Sequence, residues 1–153
     1  MYFQGIGTAT PAARYTKAEC LAAFENSDWF ARLDARAHCV ARAVLQRDNG
    51  IEARWLALDS LDEVFTIDPN TLARRFLAHA PALATRAAAS ALARSGLNAP
   101  DLGAVIVSTC TGYLCPGLSG HVVERLGLRA GVLAFVSSFG AGFSCHGALL
   151  RVS

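Results

Sequence analysis

Apolar residues recur at threes and fours through most of the first hundred positions, the period of helices with one buried side. Thr16 is placed to cap a short helix from Lys17 to about Asn26, with Cys20, Leu21 and Phe24 on one side. Asp28 is placed to cap a longer one, Trp29 to Asp48, whose apolar positions are Phe30, Leu33, Ala37, Val40, Val44 and Leu45. Gly50 supplies its stop. Ile51 to Leu58 reads as a short extended segment and Asp59 to Glu63 as a polar loop. Asp68-Pro69 opens the strongest helix, which runs to Ser95 and ends at Gly96. Leu72, Phe76, Leu83, Ala87, Ala91 and Leu92 form its predicted buried stripe, and Pro81 is a point where it could kink or split.

Beyond Gly96 the period changes. Asn98-Ala99-Pro100-Asp101 is a turn, and Ala104-Val105-Ile106-Val107-Ser108 is a continuous apolar run that suits a central strand covered on both faces. A glycine-bearing loop, Cys110 to Gly117, leads to a helix from Ser119 to Leu126. Val132 to Val152 reads as two strands around Gly140-Ala141-Gly142. The order helix, strand, loop, helix predicts an α/β layered fold, and no internal repeat is visible.

Composition narrows this picture. At 153 residues the chain suits one domain, and 53% hydrophobic against 17% charged residues excludes intrinsic disorder. Mean hydropathy is +0.33. The longest stretch without a charged side chain, Ala130 to Leu150, has the length of a membrane span, but Ser137, Ser138, Gly140, Gly142, Ser144, His146 and Gly147 interrupt it, so no span is expected. A net charge of +2 with dispersed basic residues does not suit nucleic acid. All basic residues but Lys17 are arginine, which with the abundant alanine suggests a GC-rich genome. Five irregularly spaced cysteines, with no secretory signal before them, suit a reduced, cytoplasmic chain. Tyr2-Phe3-Gln4-Gly5 looks like the remnant of a cleavable tag, so residues 1–5 are set apart from the fold.

Candidate chemistry concentrates in Ser108-Thr109-Cys110-Thr111-Gly112-Tyr113-Leu114-Cys115-Pro116-Gly117, because ligands gather where strands end and loops begin. A metal set of Cys110, Cys115, His121 and Cys145 lacks the paired spacing of a metal motif, and no metal or cofactor is expected. A Cys145–His146 nucleophile pair fails if the segment is a strand, where adjacent side chains point to opposite faces. His38, His79 and His121 read as surface or packing residues, and Cys20 and Cys39 as buried helix thiols. Asp34, Arg32 and Arg36 belong to a solvated face. By chemistry alone, no catalytic constellation emerges.

The loop, continuing through Val123-Glu124-Arg125-Leu126-Gly127-Leu128-Arg129, resembles the type III polyketide synthases, the chalcone-synthase-like enzymes, with wording nearest to bacterial alkylresorcinol and alkylpyrone synthases. Ile6 to Pro11 resembles that family's opening strand, and Gly50 to Arg54 its element beside the coenzyme A tunnel. Residues 6–129 thus resemble the N-terminal half of a thiolase-like α-β-α-β-α fold. Residues 137–153, with Ser138-Phe139-Gly140-Ala141-Gly142-Phe143, resemble the family's C-terminal strand pair, although Ala141 stands where proline is usual. Residues 130–136 would hold the junction.

The resemblance implies an acyltransferase that extends an acyl-CoA starter with malonyl-CoA and cyclises the product to a resorcinol or pyrone. It also implies a cytoplasmic homodimer that needs no cofactor. The family's central region, with its catalytic cysteine, histidine and asparagine, has no counterpart here, so this chain is expected to be inactive alone and its catalytic residues are unknown. By position, Cys110, Thr111, Phe139 and Gly140 would line the acyl cavity. Cys115, with Pro116 and Gly117, would lie at the dimer interface and reach the partner's cavity. Arg47 and Arg54 are candidates for the coenzyme A phosphates beside a reading as surface arginines. Most of one half, plus strands that close the other, would expose sheet edges and an apolar face, as in an internally deleted or degraded chain. A ketoacyl synthase III relative, or a non-catalytic fragment that dimerises or binds acyl groups, are the alternatives.

Overall fold

The computed structural model describes residues 2–48, 50–110, 112–128, 133–140 and 144–151, although from 133 onward it describes side-chain positions only at Cys145 and Gly147. Its backbone element is a helix α4, Pro69–Ser95, that begins and ends where the sequence predicts. The Asp68 carboxylate accepts from the Thr71 amide at 3.0 Å, and Gly96 closes the helix at φ +71°, a conformation only glycine adopts freely. Pro81 is buried within it and does not divide it.

The inner side of α4 is built from small residues. Ala80, Ala84, Ala87, Ala88 and Ala91 are fully buried, with Phe76, Leu83 and Leu92 completing the face. The strand beneath, β1 (Tyr2–Ala9), meets it with glycines. A Cβ on Gly7 would run into the Ala87 carbonyl, and one on Gly5 would lie 2.5 Å from the Ala91 carbonyl oxygen. Alanine against glycine lets helix and strand backbones touch, so part of the alanine excess has a packing use beyond base composition. Leu72 falls outside the face and is 45% exposed, which corrects the predicted stripe.

Residues 2–5, set apart in the sequence reading, are strand: Tyr2 pairs with Arg151, Phe3 with Leu150 and Gly5 with Leu149 of β6 (Ser144–Arg151). The sheet is completed by β5 (Leu133–Gly140) and β4 (Leu102–Thr109), in the order β1-β6-β5-β4. β6 runs antiparallel to both neighbours, and β5 lies parallel to β4. The C-terminal hairpin therefore does not close a second half; it is inserted between β1 and β4 of the same sheet. β5 also runs unbroken through positions 133–136 of the predicted junction, whose residues 130–132 lie outside the described ones.

This order moves β4 from the expected centre to an edge. Val105 and Val107 pack against the core, but Ala104, Ile106 and Ser108 point away from the helices and are exposed. Both α4 and the last helix, α5 (Leu118–Leu126), cover the same face. A continuous apolar run predicts two covered faces; among the described residues, helices cover one of them.

A second unit surrounds the short antiparallel pair β2 (Arg14–Thr16) and β3 (Ala53–Trp55). Helix α1 (Lys17–Glu25) opens on a capping box, with the Thr16 hydroxyl accepting from the Glu19 amide and the Glu19 carboxylate accepting from the Thr16 amide. The predicted helix from Trp29 to Asp48 is two: α2 (Asp28–Ala31), capped by Ser27, and α3 (Ala35–Gln46), capped by Asp34. Asp34 accepts from the Ala37 amide at 2.7 Å and so starts a new helix where periodicity alone reads one. His38 stacks on Phe30, ring centres 4.2 Å apart, and its Nε2 bonds the Phe30 carbonyl at 2.8 Å, a satisfied packing histidine as expected. Cys39 is exposed and Cys20 half-buried, which corrects their reading as core thiols. Asp59 to Glu63 is not wholly loop, since Leu61–Phe65 forms a 3-10 turn.

Candidate functional site

Sheet register puts Ala9, Cys145, Phe139 and Thr109 in one row across four strands. β1, β5 and β4 all run toward this row, so their carboxyl ends share one end of the sheet. The chain leaves the row through the 110–117 loop on one side and through Thr10 to Ala13 on the other. Each exit borders a cleft, and α4 lies between them.

The loop side is anchored from below. Leu114 is buried in the core, and Phe76 of α4, 1% exposed, presses its ring against Gly112. A Cβ on Gly112 would stand 2.5 Å from the Phe76 Cγ, so the loop backbone can lie on the ring only as glycine. Cys115 is joined to Pro116 through a cis peptide bond, and Gly117 precedes α5. Phe76, Val107, Thr109, Gly112, Leu114 and Leu118 are among the walls of a cleft of about 160 Å³, with Tyr113, 81% exposed, at its rim. Walls of this kind offer shape and apolar contact but no charge.

Against this geometry the predicted residues divide. Gly117 lines the cleft, and the Phe139 backbone pairs with Thr109 beside it. Cys110, Cys115 and Pro116 are exposed on the loop. Thr111 lies outside the described residues, as does the Phe139 side chain, and Gly140 is described only as the last residue of β5. Arg47 ends α3, its carbonyl accepting from Lys17 Nζ at 2.6 Å, and Arg54 lies on β3; both belong to the smaller unit and neither lines a cleft described here. Burial pushes the Cys20 thiol up, with the Arg54 charge partly opposing, so Cys20 is a poor nucleophile. Cys145 is fully buried in the core. It lies in β6 next to His146, so the pair has the strand geometry that excludes it as a nucleophile and base. Among the described residues, no three His, Cys, Asp or Glu side chains converge to hold a metal ion.

The other cleft, about 530 Å³, was not legible in the sequence. Pro11, Leu56, Leu58 and Ala82 line it, with His79, Arg86 and Asp59 as its polar groups. It joins three segments distant in sequence, and a single histidine or arginine on a helix carries no signal that it faces a cavity.

No protein-family model matches the chain. A curated relative, the alpha-pyrone synthesis polyketide synthase-like Pks18 of Mycobacterium tuberculosis, is 34% identical over 95 residues, which cover 58% of this chain and 24% of that protein. The Mycobacterium bovis protein of the same name matches equally. The chain therefore spans about a quarter of the length of these relatives in sequence. Among solved structures, PKS-I from the brown alga Ectocarpus siliculosus superposes with a TM-score of 0.79 at 19% identity, over 97% of this chain and 55% of that one. The C-terminal type III polyketide synthase domain of Steely1 from Dictyostelium gives a TM-score of 0.77 at 16% identity, over 99% and 56%. A type III pentaketide synthase from Neurospora crassa gives 0.73 at 14%, over 96% and 54%. The fold is that of these synthases, present here in part.

Proposed function

Taking the chain as a relative of the type III polyketide synthases that spans part of their length, we propose that it supplies the acyl-pocket wall of such an enzyme. The observation that carries this is Gly112, within the stretch that resembles the family, lying on Phe76 beside an apolar cleft at the carboxyl end of the sheet. In the parent reaction an acyl group passes from coenzyme A to a cysteine thiolate. Malonyl-CoA then loses carbon dioxide, and the enolate so formed attacks the acyl thioester carbonyl, breaking its C–S bond and returning the cysteine thiolate. Cys110 and Thr111 would line the acyl chain's path, and Cys115 would face a second copy. The uncharged walls would give an acyl chain apolar contact and leave the charged steps to other groups. Five thiols and a coenzyme A thioester substrate suit the cytoplasm.

The chain should thus bind an acyl thioester without turning it over. Incubation with radiolabelled malonyl-CoA and fatty or aromatic acyl-CoA starters is expected to give no pyrone or resorcinol, and titration with a long-chain acyl-CoA is expected to give saturable binding weakened by Phe76→Ala. Product from the 153-residue chain would overturn the division of labour, and absence of acyl-CoA binding would overturn the pocket.

A further inference from the structure

The larger cleft carries charge of both signs. Along its α4 wall, Ala78, Ala82 and Arg86 follow one another a turn apart, with His79 beside them. The facing wall is the chain that enters β2 and leaves β3, joined where the Leu56 amide donates to the Ala13 carbonyl at 3.1 Å. Arg86 is held at the cleft by its Nη2, which donates to the Thr10 carbonyl at 2.5 Å. A guanidinium has five N–H donors, so this bond orients the group and leaves an edge of it for a carboxylate. Asp59 lines the same cleft and is exposed, and among the described residues it forms no ion pair with Arg86. His79 is half-buried there, and among the described residues its ring has no hydrogen-bond partner.

We propose that this cleft binds a small zwitterion with an apolar body, an apolar amino acid or its short peptide, with Arg86 taking the carboxylate and Asp59 the ammonium. Both charges must be met at once. A simple anion would be repelled by Asp59 and a simple cation by Arg86, whereas one molecule bearing both charges satisfies two side chains that do not pair with each other. The alanines supply the rest. Ala78 and Ala82 are exposed, and their methyl groups are too short to fill the space, so the α4 wall stays open to an apolar side chain. His79, beside them, can donate to or accept from a peptide group. At about 530 Å³ the cleft falls within the size range of small-ligand sites, about 300–1,000 Å³. None of this uses the loop cleft or acyl chemistry, so it stands or falls apart from the function proposed above.

Calorimetric titration of the 153-residue chain with L-leucine and with L-leucyl-L-leucine tests this. At least one should bind saturably at a single site, and comparing the two separates amino acid from peptide. On the unaltered chain, the same compound with its amine acetylated or its carboxylate amidated should bind at least about tenfold more weakly, because each change removes a charge-assisted contact. Glycine and diglycine should also bind more weakly, for want of an apolar body. Asp59→Asn and Arg86→Gln, both at exposed positions, should each weaken the unmodified ligand by a similar factor. Tyr113→Ala, at the rim of the other cleft, should leave it unchanged. Absence of saturable binding by either compound, equal binding of the charge-blocked analogues, or displacement of the ligand by a long-chain acyl-CoA would each overturn the assignment.

Discussion

At Gly112 a hydrogen atom in place of a methyl group decides where the loop lies. The Phe76 ring occupies the volume that any Cβ would need, and its own position is fixed because it is buried in the core. Gly112→Ala must move either the loop or the ring, an overpacking that destabilises by about 1–3 kcal/mol. Phe76→Leu in the same chain should relieve part of this. The double variant should be more stable than the sum of the singles by at least about 0.5 kcal/mol, read from urea midpoints. A neutral Gly112→Ala would show that the ring does not hold the loop. The prominence of this segment was legible from its composition of small residues after an apolar run. Its floor was not, because Phe76 reads as one more core residue until the fold brings it beneath a loop thirty-odd positions later.

Helix limits depend on short side chains that accept from backbone amides, and here the sequence is informative at some caps and silent at others. Thr16 and Asp68 stand directly before apolar periods, and both cap as expected. Asp34 sits inside an apolar period, where a carboxylate beside two arginines reads equally well as a solvated face, so the break between α2 and α3 was hidden. Hydrogen bonds from Thr71 hold the Asp68 carboxyl below the usual aspartate range. A depressed folded value contributes stability above the unfolded pKa, about 3.9, and loses it as pH falls through the folded value. Asp68→Ala should therefore melt below the parent chain at neutral pH, and the gap should close in strong acid. A gap that persists there would assign the effect to helix propensity instead.

For the whole molecule, the decisive fact is that neither β1 nor β4 pairs with the other. Each is held by one strand of the C-terminal hairpin. An α/β class was legible from the alternation of periods, and so was the hairpin around Gly140-Ala141-Gly142, but strand order was not, since an apolar run looks alike at the centre and at an edge with one face uncovered. Removing residues 129–153 should leave both N-terminal strands without partners and abolish the sigmoidal urea transition, read by circular dichroism. A truncated chain that still unfolds cooperatively would place the stability in α4 alone. The same strand order bears on how the molecule is born. Gly7 pairs with Gly147, and the helix that covers β1 is finished long before β6 exists. Contacts so far apart in sequence slow folding, and on the ribosome, at about 5–20 residues per second, the alanine face of α4 must wait several seconds for its sheet. During that interval this small-residue face is open to whatever apolar segment reaches it first, so a holding chaperone is expected to raise the yield of this chain more than any single core substitution.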